Sequence, residues 1–206
     1  ADNTLSNKTS LRTVILPKTL TTIGSGAFEN VNLGRIYSNK AFEFLTIPST
    51  VTSIGSNAFK NARYVTFEGQ VPPTIGNGTF NTSVNGTKFF VPMGAIKTYT
   101  NIENINTENV YYEAKLSDNK QYFLYDYKDG YGVSYFINTV SIGDSLTIPN
   151  TLTLNSINKP ITAIGYNAYR NLNTSSTGAS ISIPTTVELI DSYAFYEDNI
   201  TNINLD

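Results

Sequence analysis

Apolar residues along this chain recur in one fixed phrase. It reads apolar-x-apolar-Pro, then apolar-x-x-Ile-Gly-x-x-Ala-Phe. The first copy is Val14, Leu16, Pro17, Leu20, Ile23, Gly24, Ala27 and Phe28. The second is Leu45, Ile47, Pro48, Val51, Ile54, Gly55, Ala58 and Phe59. A degraded copy follows with Val65, Phe67, Pro72, Ile75, Gly76, Thr79 and Phe80, and another with Phe89, Val91, Pro92, Ile96 and Tyr99. After a break the phrase resumes as Leu146, Ile148, Pro149, Ile161, Ile164, Gly165, Ala168 and Tyr169. The last full copy is Ile181, Ile183, Pro184, Val187, Ile190, Asp191, Ala194 and Phe195, after which Ile200, Ile203 and Leu205 begin another.

Each part of the phrase predicts a local structure. Apolar-x-apolar has period two, so both side chains point to one face of a short strand. Pro stops the strand and removes a ladder donor. Ile-Gly supplies a buried side chain and a turn residue tolerant of positive φ. Ala-Phe sets a small residue for close backbone approach beside a large ring. One such unit cannot enclose a core, but stacked units can. The predicted fold is therefore a β-rich solenoid, with strands forming continuous sheets and the Phe positions forming a column. A β-sandwich with coincidental proline spacing is the competing architecture.

At these residues the chain resembles the BspA-like leucine-rich-repeat proteins of bacterial surfaces, whose unit reads roughly L-x-x-I-x-I-P-x-x-V-x-x-I-G-x-x-A-F. The Cys that follows in that family is replaced here by Val31, Ala62 and Leu172, all apolar. The resemblance covers residues 11–100 and 141–206. It implies a right-handed coil of short strands with turns or short helices. It also implies a bacterial cell-surface or secreted protein engaged in adhesion.

The copies are unevenly spaced. Extra chain lies at residues 32–41 and 153–160, and insertions of this kind map to surface loops. Residues 101–140 carry no repeat phrase but are dense in Tyr and Phe. Within them QYFLYDYKDGYGVSYF predicts two strands about a Lys128-Asp129-Gly130 turn. In the resembled family a V-P-x-G followed by Tyr closes an array, as Val91-Pro92-Met93-Gly94 and Tyr99 do here. The predicted organisation is a first array over 1–100, a junction and capping β-hairpin over 101–140, and a second array over 141–206. Both ends interrupt the repeat, so the chain reads as a fragment of a longer surface protein.

Composition narrows the chemistry. The 206 residues include no His and no Cys. Thiol nucleophiles, disulfides, imidazole acid–base catalysis and Cys/His zinc sites are thereby excluded. A formal net charge of −2 offers no basic field for nucleic acid. No apolar run is long enough for a transmembrane helix. The nearest acidic cluster, Asp118, Asp126, Asp129 and Asp144, lacks the alternating acids of an EF-hand loop. Nothing in its spacing forces a paired-carboxylate cleft. No catalytic centre, metal site or cofactor is expected.

The solvent face of the first array is the remaining candidate. If the apolar strand positions face inward, their neighbours face out, including Arg12, Thr13, Ile15, Glu43, Phe44, Thr46, Arg63, Tyr64, Thr66, Thr87, Lys88 and Phe90. In the second array the outward set, Asp144, Ser145, Thr147, Ala179, Ser180 and Ser182, is small and polar. Phe44, Arg63, Tyr64, Thr66, Lys88 and Phe90 are thus the expected exposed binding face. The structural set is Ile23, Gly24, Phe28, Ile54, Gly55, Phe59, Ile75, Gly76, Phe80, Ile164, Gly165, Tyr169, Ile190 and Phe195. The functional expectation is a non-enzymatic module that binds a host or neighbouring-cell protein or glycan. The alternative is a carbohydrate-binding or enzymatic ectodomain with its active part in 101–140 or elsewhere in a longer chain.

Overall fold

The computed structural model describes residues 2–35, 44–83, 86–117, 119, 121–137, 145–170, 172, 178–196 and 198–205. The chain divides into two compact units, Ala1–Glu113 and Ala114–Asp206. The stretch 101–140 is shared between them. Its first part completes the core of unit 1 and its hairpin belongs to unit 2.

Unit 1 contains strands at Thr22–Ile23 (β1), Leu45–Ile47 (β2), Ser53–Ile54 (β3), Tyr64–Phe67 (β4), Thr74–Ile75 (β5), Lys88–Val91 (β6) and Val110–Tyr112 (β7). They form two parallel sheets, ordered β1-β3-β5 and β2-β4-β6-β7. The repeat sets the register directly: Ile23 pairs with Ile54, Ile54 with Ile75, and Leu45 with Val65. Between the sheets lie Ile23, Ile54, Ile75, Leu45, Ile47, Val65 and Phe67, all buried. The Phe positions stack, with ring centroids 5.0 Å apart for Phe28–Phe59 and 6.0 Å for Phe59–Phe80. A single helical turn, Ile96–Tyr99 (α1), brings Tyr99 to 5.0 Å from Phe67. Its buried hydroxyl donates to the Gly69 carbonyl at 3.0 Å.

The turns obey a rule different from the expected one. Positive φ falls two residues beyond the Ile-Gly glycine, at Gly26, Asn57, Gly78 and Asn167, and in the last copy two beyond Asp191, at Tyr193. At Gly55 and Gly76 the glycine itself is required for close approach. A Cβ on Gly55 would sit 2.4 Å from the Ser25 nitrogen, and one on Gly76 would sit 2.6 Å from the Ser56 nitrogen. Successive turns are also joined by main-chain bonds: Gly26 and Phe28 donate to Ser56 and Ala58, and Asn57 and Phe59 donate to Asn77 and Thr79.

Unit 2 contains Lys115–Leu116 (β8), Tyr122–Tyr127 (β9), Gly130–Phe136 (β10), Ser145–Thr147 (β11), Thr151–Leu154 (β12), Ile157–Ile164 (β13), Ala179–Ile183 (β14), Leu189–Ile190 (β15) and Ile200–Leu205 (β16). One sheet runs β12-β13-β10-β9-β8, with β15 also pairing β13, and a second, parallel sheet runs β11-β14-β16. The predicted hairpin is β9–β10, closed by Lys128-Asp129, with Lys128 at φ 51°. Gly130 already lies in the strand, where a Cβ would meet Thr162 Oγ1 at 2.4 Å. The insertion at 153–160, expected as a loop, is part of a second hairpin. There β12 and β13 pair antiparallel about Asn155 and Ser156, both at positive φ. Two residues with φ > 0 match the right-handed twist of the flanking strands. Leu152 and Leu154 on this hairpin are buried in the unit 2 core.

Ile164 belongs to the core of unit 2, and Ile23, Ile54 and Ile75 to that of unit 1. Ile190 departs from this pattern. It is 49 % exposed, because among the described residues β15 pairs with β13 on one side only. Ala179, expected to face out, is buried. Tyr169 takes the Phe position and stacks between Phe136 and Phe195 at 5.5 and 5.3 Å. Burial pushes its phenol well above the usual range, and its hydroxyl oxygen has no hydrogen-bond partner among the described residues.

Two substitutions test this packing. Phe59→Ala removes a fully buried ring from the middle of its stack and is expected to cost ~3–5 kcal/mol, read by chemical denaturation. Tyr169→Phe keeps the stacked ring and deletes the unsatisfied oxygen. It is expected to raise stability by ~1 kcal/mol, and a lowered melting temperature would show that the hydroxyl is satisfied.

Candidate functional site

Strand alternation assigns one face of β2-β4-β6-β7 to solvent. The structure buries both. All four residues of β4 and all four of β6 are buried. Tyr64, Thr66, Lys88 and Phe90 therefore are not the exposed binding face expected from the sequence, and Phe44 and Arg63 are half-buried. The physical reason is that parallel sheets are generally covered on both faces, and their strands read as near-continuous apolar runs. YVTF and KFFV are such runs, and this was the available signal.

These residues do come together, as a second aromatic layer. Phe90 lies 4.9 Å from Phe44, 6.5 Å from Tyr64 and 5.6 Å from Tyr111. Cations close the layer. The Arg63 guanidinium lies 6.0 Å from the Tyr64 ring centre and the Lys88 ammonium 5.9 Å from that of Tyr111. Lys88 Nζ also donates to Asn109 Oδ1 at 2.6 Å in a buried site. Burial raises the Tyr64 phenol, and the Arg63 charge beside it works in the opposite direction. The layer is a cohesive structural element with little surface to offer.

The accessible part of this region is a groove at the sheet's first edge. Among the described residues, β2 forms a ladder with β4 alone. The preceding copy, Val14–Leu16, does not form a strand against its other side. Between them opens a groove of about 420 Å³, lined by Val14, Ile15, Leu16, Lys18, Phe44, Thr46, Pro48 and Glu68. Ile15 is 89 % exposed on its wall. Val14 and Leu16 are partly buried and pack on the unit 1 core behind it. Phe44 bridges the two environments, reaching Phe90 on one side and the groove on the other. The two charged lining residues, Lys18 and Glu68, follow the ends of their strand phrases, and Glu68 N–H donates to the Ile47 carbonyl beside Pro48. Of the expected set, only Phe44 lines the groove. The phrase at Val14–Leu16 gave no sign of it, because its apolar pattern matches that of copies that do form strands.

Asp126 Oδ1 accepts from Lys159 Nζ at 2.8 Å, and Lys128 pairs with Glu188, both on the exposed surface. Asp118 and Asp144 lie outside the described residues, as do Glu43 and residues 36–41 of the first insertion. Among the described residues no three Asp or Glu side chains are grouped as metal ligands. No described helix is long and apolar enough to cross a membrane.

Comparison with known proteins gives one match. The family described as BspA type leucine-rich repeat region matches in six copies, over residues 1–45, 34–175 and 141–206. No curated protein and no solved structure matches the chain. The repeat phrase, the parallel ladders it registers and a match that spans both units lead to one assignment: the chain belongs to the BspA type leucine-rich repeat family.

Proposed function

We propose that this chain is a non-enzymatic recognition module of a bacterial surface or secreted protein. In this reading its copies coil as a two-array solenoid, and it adheres to a protein of a host or neighbouring cell. Family membership supports the class, since the residues that define the repeat are structural and leave recognition to the surface. The observation that carries the site is the groove between Val14–Leu16 and the edge of β2.

An extended segment of a partner protein suits that groove. A strand edge that has ladder bonds on one side offers main-chain donors and acceptors to an added strand. Alternate side chains of the added segment would meet Ile15, Leu16 and Phe44, while Lys18 and Glu68 at the Pro48 end would fix direction and register. Most of the binding energy would then rest on a few apolar anchors, as at other protein interfaces.

The test is binding of the whole chain to an immobilised panel of extracellular-matrix proteins and to intact host cells. Ile15→Asp alters a side chain that contributes little to the core, so the melting temperature should not change. Affinity for the captured partner should fall about tenfold or more, and Phe44→Ala should act in the same direction. A partner that binds both variants as tightly as the parent would exclude the groove.

A further inference from the structure

The five turns share a position at which the backbone takes a left-handed φ between 58° and 66°. In four copies it is held by the residues best suited to it, Gly26, Asn57, Gly78 and Asn167. In the fifth it is Tyr193, at φ 59°. A bulky side chain has no local reason to occupy that conformation, and the turn itself would be better served by Asn or Gly. The ring is not buried in compensation, for Tyr193 is 52 % exposed.

What Tyr193 does is complete a surface cluster. Its ring lies 5.6 Å from Tyr166 at 77° and 5.3 Å from Tyr196 at 80°. Tyr196 is 47 % exposed, and the Arg170 guanidinium lies 4.6 Å from its ring centre. Asp191 stands two residues before Tyr193 and accepts from the Ser192 N–H at 2.6 Å. Burial, and then the neighbouring Tyr193, push the Tyr166 phenol up, while Arg170 draws it down and Asp191 acts in the opposite sense. The rim therefore carries one positive and one negative charge within electrostatic reach of the same ring.

We propose that Tyr166, Tyr193 and Tyr196, with Arg170, form a binding site for an uncharged pyranose ring of a glycan. Aromatic rings offer faces to the C–H surface of a sugar, and the phenol oxygens and the guanidinium offer hydrogen bonds to its hydroxyls. Perpendicular tyrosines also resemble a cage for a quaternary ammonium, but the Arg170 cation already lies at the ring that such a ligand would need. A proline-rich peptide is the other aromatic-seeking ligand. It calls for an elongated groove between parallel aromatic ridges, whereas Tyr193 stands perpendicular to both of its neighbours, at 77° and 80°. The site lies in unit 2, and its residues are not those of the groove in unit 1.

The experiment reads the whole chain on a printed array of neutral and acidic glycans, with a proline-rich peptide set and a choline-bearing conjugate as separate arms. Binding to at least one neutral glycan is expected, and titration of that glycan should show about a tenfold or greater loss in Tyr193→Asn. Asn is the residue that other copies use at this position, so the same variant should melt at an equal or higher temperature. A purely structural tyrosine would not combine those two results. Tyr196→Ser supplies a second variant with the same expected loss, and Ile15→Asp should leave glycan binding intact. The proposal is overturned if no neutral glycan is bound, if both tyrosine variants bind as the parent does, or if only the peptide or choline arm responds.

Discussion

The spacing between one turn and the next governs this protein. Main-chain bonds run from each turn to its successor, as from Phe28 to Ala58, from Phe59 to Thr79 and from Tyr169 to Ala194. They hold the copies at the separation of neighbouring strands, which is also a comfortable distance for stacked rings. The rest of the phrase follows. A glycine is needed where a Cβ would strike the preceding turn, a small residue sits beside the ring, and the isoleucine is carried into the core by a strand of only two residues. Strands so short would not persist alone, and their stability comes from being repeated in register.

The same spacing explains why the sheet beside the turns carries two packed faces. Equivalent residues on successive strands are brought opposite one another whichever way they point. The inward set makes the aliphatic and phenyl core. On the other side, Phe44, Tyr64, Phe90 and Tyr111 are drawn together with Arg63 and Lys88 against their rings. Lys88 shows that a charged residue in a strand can serve packing: its ammonium faces the Tyr111 ring and donates to Asn109 Oδ1.

Much of this was legible in the residues. The phrase gave the strand starts, the register and the ring column, and the DG signal gave the β9–β10 hairpin within one residue. Other features depend on long-range contacts. Gly55 looks like a turn residue until its distance from Ser25 is known, and the left-handed position is marked only by an alternation of Gly and Asn two residues on. The β12–β13 hairpin was hidden because Pro160 and a run of polar residues read as loop, yet Leu152 and Leu154 hold it to the core. The binding face was misassigned because alternation presumes one wet face. The groove was missed because a strand phrase at Val14–Leu16 forms no ladder with β2.

A further consequence lies in the left-handed turn position. Its backbone conformation is the same in every copy, but the room beside it is not: a Cβ on Gly26 would sit 2.1 Å from Asn3 Oδ1, Asn167 is fully buried, and Tyr193 is half exposed. Asn, Gly and Tyr all occupy it with the same φ. A lineage can therefore change that residue where the turn faces solvent, as at Tyr193, and alter what the surface displays there, whereas packing fixes it at Gly26 and Asn167. Freedom to vary thus falls to the copies whose turn is open to solvent, while the packed ones carry the inherited scaffold.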